Sequence, residues 1–178
     1  MSWSKLLSVL ASAILILGCS PVTVQDYAGN SPTLVPEHFF DGSLTAHGVL
    51  KDRSGKVIRS FSADIKAYWE KGVGTLEEDF LFDDGEQDRR VWTLRPTGDG
   101  SYTGTAGDVV GDGQLTVAGN SMFLEYVLRI PYGDGTLDLH IDDRMYLVSK
   151  TVLINESKMT KFGFEVGELL LVIERQAQ

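Results

Sequence analysis

Phe61-Ser62-Ala63-Asp64-Ile65-Lys66-Ala67-Tyr68-Trp69 decides the fold. Its odd positions are apolar or small and its even positions polar, Tyr68 excepted. Successive side chains on a strand point to opposite faces, so a period of two marks a strand with one buried and one wet face. Working outward, Met122, Leu124, Tyr126, Leu128 and Ile130 alternate with Phe123, Glu125, Val127 and Arg129. Leu137, Leu139 and Ile141 alternate likewise with Asp138, His140 and Asp142. Between such runs lie Asp52-Arg53-Ser54-Gly55, Asp83-Asp84-Gly85, Gly98-Asp99-Gly100, Gly111-Asp112-Gly113 and Gly133-Asp134-Gly135. Asp-Gly pairs supply the positive φ angles that tight hairpins need.

The alternation predicts about nine or ten strands, near 43–51, 56–69, 74–82, 88–96, 101–107, 114–119, 121–131, 136–148, 151–155 and 163–174. No helical period separates them, so the sheet is expected to be antiparallel. A meander of this length must roll up to bury one face and hide its edges. The expected fold class is therefore all-β, a single up-and-down, lipocalin-like barrel over 37–178. A transmembrane barrel is disfavoured because the outward positions include Asp64, Lys66, Glu125 and Arg129.

The 178 residues carry 16 Lys and Arg against 25 Asp and Glu, a net charge of −9. Such a surface opposes nucleic-acid binding, which needs cations against phosphate. At the N-terminus, Lys5 precedes the apolar run Leu6–Leu17, the pattern of a secretory signal too short to span a bilayer permanently. It ends in Ile16-Leu17-Gly18-Cys19, which resembles a bacterial lipobox. The expected organisation is a signal peptide over 1–18, an acylated Cys19 opening a flexible tether over 19–36, and the barrel. Acyl chains contribute ~0.8 kcal/mol per buried CH2, so lipid on Cys19 would provide the membrane anchor. Ser20 rather than Asp after the cysteine resembles the signal for transfer to the outer membrane of a Gram-negative cell, on its periplasmic face.

Several blocks carry a further resemblance: Phe39-Phe40-Asp41-Gly42-Ser43-Leu44-Thr45-Ala46-His47-Gly48, Leu76-Glu77-Glu78-Asp79-Phe80, Asp84-Gly85-Glu86, Arg90-Val91-Trp92, Gly104 to Gly111, Asp142-Asp143-Arg144-Met145-Tyr146-Leu147 and Met159-Thr160-Lys161-Phe162-Gly163. Together they resemble domain-of-unknown-function family number 3833, a lipoprotein family of Gram-negative bacteria. Arg144 stands where that pattern has a Trp. The resemblance implies a lipocalin-like barrel and, through association of members with enzymes that modify membrane fatty acids, a lipid connection.

No catalytic motif is present: there is no Gly-x-Ser-x-Gly elbow, His-Glu-x-x-His or Cys-x-x-Cys. The chain is therefore expected to be non-enzymatic, without cofactor or metal. His38, His47 and His140 are far apart in sequence and are expected in solvent. The clustered acids Asp83, Asp84, Glu86 and Asp88 lack the ligand spacing of a calcium loop. Charge in register with core residues is more informative. Glu78 shares a face with Leu76, Phe80 and Phe82, and Arg90 with Trp92 and Leu94. A five-residue turn at 83–87 would set Phe80 opposite Arg90 and Glu78 opposite Trp92, leaving Glu78 and Arg90 as diagonal neighbours inside the barrel. They would form either a structural ion pair or, through Arg90, a seat for a fatty-acid or phosphate head group. The candidate ligand-binding residues are Glu78, Arg90, Trp92, Trp69, Phe80 and Tyr126. Three functions stay open: a carrier of a fatty acid, phospholipid or other apolar ligand; a filled barrel that docks a protein partner; or a hydrolase or isomerase acting on a lipid, which would need an exposed cluster of perturbed acid and nucleophile.

Overall fold

The computed structural model describes residues 21–176. The expected signal peptide and Cys19 lie outside the described residues. Ten strands follow in order: β1 (Gly42–Asp52), β2 (Val57–Glu70), β3 (Val73–Phe82), β4 (Gln87–Gly98), β5 (Ser101–Thr105), β6 (Gly113–Ala118), β7 (Ser121–Tyr132), β8 (Gly135–Leu147), β9 (Val152–Lys161) and β10 (Phe164–Arg175). Each pairs with its sequence neighbours, and β1 pairs with β10 from Leu44↔Arg175 to Asp52↔Gly167, closing the barrel. Closure leaves no edge to aggregate. This is the all-β, up-and-down, lipocalin-like fold that the alternation predicts.

On β2 the quoted pattern does what it requires. Ala63, Ile65 and Ala67 are buried while Asp64 and Lys66 are exposed. Strand β9 runs further than expected, to Lys161 rather than to 155. Its inward side carries Asn155 and Ser157 after Leu153, and polar residues at inward positions erased the alternation on which its length was judged.

The chain ahead of β1 plugs one end of the barrel. The turn Pro36–Phe39 tucks Phe39 and Phe40 beneath it, and burying such side chains is worth about 1.5–3 kcal/mol each. Trp69 Nε1 donates to the Phe40 carbonyl at 2.9 Å, and the Tyr102 hydroxyl donates to the Glu37 carboxylate at 3.0 Å. Leu34, also buried, donates its N–H to the Gly119 carbonyl at 2.8 Å. Further back, Val24–Tyr27 forms a 3-10 turn, and the Tyr27 ring packs on Phe123 and Tyr146 at 5.8 and 5.4 Å. Gly119 lies at φ +54, and a Cβ there would sit 1.8 Å from the Tyr27 carbonyl oxygen. Only glycine admits this docking. From Val24 onward the segment expected as a flexible tether is thus packed against the barrel. Its apolar residues have no local period because they match a tertiary surface.

Candidate ligand-binding site

The opposite end, bounded by the β1–β2, β3–β4, β7–β8 and β9–β10 hairpins, opens inward. A cavity of about 260 Å³ lies there, walled by Phe61, Phe80, Phe82, Leu128, Ile130, Leu139 and Met159. Beneath it is a chamber of about 100 Å³ lined by Glu78, Arg90, Trp92, Tyr126, Asp143 and Asn155, among others. The two share Phe61, Phe80, Arg90, Tyr126 and Leu169 as walls. Small inward residues, Ala46 and Ala63 in one cross-strand pair, leave the chamber its space. At the rim, the Arg59 guanidinium stacks over Phe82 at 3.6 Å and bridges Asp84 at 2.8 Å and Glu86 at 2.5 Å. Sequence reasoning read those acids as turn chemistry and did not find Arg59.

Of the six expected lining residues, five lie at this site. Phe80, Arg90 and Tyr126 border both spaces, while Glu78 and Trp92 border the inner one. Trp92 meets the Tyr126 ring edge-on at 5.2 Å. Trp69 is the exception. It sits at the plugged end, its ring so close to Gly74 that a Cβ there would lie 2.7 Å away, and it borders neither space. Facing inward was not enough, because position along the barrel axis separates plug from pocket.

Register also differs from expectation. Phe82 N–H donates to Glu86 O at 2.9 Å, so the turn is the three residues Asp83-Asp84-Gly85, with Gly85 at φ +83. Glu78 therefore lies directly opposite Arg90, Leu76 opposite Trp92 and Phe80 opposite Asp88. A slip of two residues preserves the face, so both charges still point inward.

Yet Arg90 does not bond to Glu78. Its Nε and Nη2 donate to Asp108 Oδ2 at 2.9 and 2.5 Å. The connection between β5 and β6 folds back along β7, with Arg129 N–H donating to Asp108 O and Val110 N–H to Val127 O. That placement lies outside any strand pattern. Among the described residues, Glu78 has no hydrogen-bond partner and no cation within 4 Å, and the surface it keeps faces the inner chamber. Burial pushes its carboxyl from an ordinary 4.5 up to about 7, with Arg90 opposing and Asp143 and Asp108 reinforcing the rise.

Asp143 completes the polar floor. Its carboxylate accepts from Asn155 Nδ2 at 2.6 Å and from the Ser157 hydroxyl. Burial raises its pKa, and these two bonds hold the rise in check. Burial likewise pushes the Tyr126 hydroxyl well above its ordinary value, keeping it protonated. Sequence reasoning did not place Asp108 at the site and missed Asn155 and Ser157 altogether. Asp143 carried a legible signal, since it shares the face of Ile141 and Met145. His38, His47 and His140 are all exposed, outside the site.

The architecture is thus a barrel plugged at one end and open at the other onto an apolar cavity with a polar floor. The family pattern described as "Protein of unknown function (DUF3833)" matches residues 13–175. The chain belongs to that family. No curated protein matches it. Among solved structures, it resembles the S-type phycobiliprotein lyase CPES from Guillardia theta, with TM-score 0.59 and 12% identity over 89% of this chain and 99% of that one. It also resembles Rv2717c from M. tuberculosis, with TM-score 0.56 and 16% identity over 78% and 93% of the two chains. At these identities the likeness is one of fold.

Proposed function

We propose that this protein is a non-enzymatic, lipid-anchored binding protein of the Gram-negative outer membrane, held on the periplasmic face by acylated Cys19, and that its barrel carries a small apolar ligand. The observation that carries the binding half is the apolar cavity opening at one end of a barrel whose other end is plugged. Apolar walls with few polar groups are the usual make-up of a small-molecule site. The same barrel fold occurs in a phycobiliprotein lyase. The cavities of about 260 and 100 Å³ are each smaller than the roughly 300–1,000 Å³ common for ligand sites. They favour a single chain or compact ring system, such as a fatty acyl chain, over a two-chain phospholipid. The lone cysteine at the end of the apolar N-terminal run supports the anchor.

The test is gentle organic extraction of the protein purified from its own envelope, with mass spectrometry of what it releases. A stoichiometric apolar compound, absent from a variant with the cavity filled by Leu139→Trp, is the expected result. A protein that yields nothing beyond bulk membrane lipid would overturn the carrier reading. The docking alternative has its own specific observation. Phe162 and Phe164, at the β9–β10 turn, are 86% and 75% exposed.

A further inference from the structure

The polar floor of the chamber is unbalanced in a way that selects a ligand's polar end. Three carboxyl groups, Glu78, Asp108 and Asp143, act on the space around Tyr126, against the single guanidinium of Arg90. Asp143 is already supplied with donors by Asn155 and Ser157. Arg90 directs Nε and Nη2 to Asp108 Oδ2. Among the described residues Arg90 Nη1 makes no hydrogen bond, so the imbalance lies in the excess of carboxyl groups over the one guanidinium. Asp108 Oδ1 is buried without a partner but lines neither space, whereas the Glu78 carboxyl faces the chamber with none. Tyr126 contributes the one neutral hydroxyl beside them. A buried acceptor without a donor is costly, so the chamber is complementary to a donor. It is also the wrong environment for the head group a carrier of this kind would most readily be assigned. A carboxylate entering here would meet a net negative field, with the nearest guanidinium already held by Asp108. The acids do not converge as a metal site either, since no group of three such ligands forms among the described residues.

We propose that the inner chamber receives the polar end of the bound apolar molecule, and that this end is a hydrogen-bond donor, above all a protonated amine, seated on the Glu78 carboxylate. The inference rests on the carrier reading and specifies its ligand class. The apolar part then lies in the outer cavity between Phe61, Phe80, Phe82 and Leu139.

The experiment is equilibrium dialysis of three radiolabelled probes with the same chain, dodecylammonium, dodecanol and dodecanoate. The full chain is held in nanodiscs, with empty nanodiscs as the blank. Salt at about 0.3 M keeps the acidic surface from collecting the amine, since the Debye length there is below ~8 Å. The amine should bind ~10-fold or more tighter than the carboxylate, as a charge-assisted hydrogen bond implies. Glu78→Gln should bring that ratio close to one. A second measurement needs no variant. The groups facing Glu78 are Arg90 on β4, Asp108 on the β5–β6 connection, Tyr126 on β7 and Asp143 on β8, with neutral Asn155 and Ser157 on β9. As the pH falls from about 8 to about 6, Glu78 takes up its proton, so amine binding should weaken while dodecanol binding holds. Carboxylate binding as tight as the amine, or a preference that survives Glu78→Gln, would overturn the proposal. If none of the three probes binds above the blank, the carrier reading itself falls, and the proposal with it.

Discussion

Replacing Glu78 by Gln should make this protein more stable, and by an amount that depends on pH. The carboxyl moves from 4.5 in the unfolded chain to about 7 in the barrel, chiefly through burial. Between those values the folded state holds a proton that the unfolded state has released. Stability therefore falls as pH rises through this window, and above about 7 the whole penalty is present. At 1.36 kcal/mol for each pH unit, the difference amounts to about 3 kcal/mol. That is a large part of the 5–15 kcal/mol typical of a domain. Glutamine keeps the shape and removes the charge, so its gain should be near zero below pH ~4.5 and about 3 kcal/mol above pH ~7. Urea denaturation of both proteins at pH ~4.5 and ~8 reads this directly, as a midpoint shift at unchanged slope. A variant no more stable than wild type at the higher pH would refute the reasoning, since Glu78 would then be solvated or paired. The expected result would mean that a destabilising acid is kept inside the barrel, as functional sites commonly keep such groups.

Three other substitutions probe the remaining structure. Arg90→Ala leaves Asp108 without its guanidinium and Glu78 without its opposing charge, and should lower stability by about 3–5 kcal/mol near neutral pH. Adding Asp108→Asn should recover part of that loss in a denaturant-measured cycle. Phe40→Ala removes a side chain 2% exposed from the plug and should cost about 3–5 kcal/mol in the same assay; a loss below about 1 kcal/mol would mean that the plug is not part of the cooperative core. Cys19→Ser should abolish metabolic labelling with palmitate and release the protein from the membrane fraction, whereas persistent labelling would refute the lipobox reading.

Much of the barrel is legible along the chain because strand alternation is local. Each inward residue is specified by its neighbours at two-residue spacing, and hairpins such as β3–β4 and β4–β5 by an Asp-Gly turn. For that reason Phe80, Trp92, Tyr126 and the inward direction of Glu78 and Arg90 could be read before any coordinates, and even a two-residue error at Asp83-Asp84-Gly85 left their faces intact. β9 shows where local reading stops, since Asn155 and Ser157 face inward as polar residues serving Asp143 across the strand pair. The partner of Arg90, the plug formed by Leu34, Phe39 and Phe40, and the exclusion of Trp69 from the cavity were decided only by tertiary structure. Each depends on segments far apart in sequence meeting at one height along the barrel axis. The 106–112 connection brings Asp108 to Arg90, and the N-terminal chain fills one end and leaves the other open. A period of two specifies which side of the wall a residue takes. How far along the barrel it sits, and which distant charge it meets there, is set by closure and by the packing of non-repeating segments.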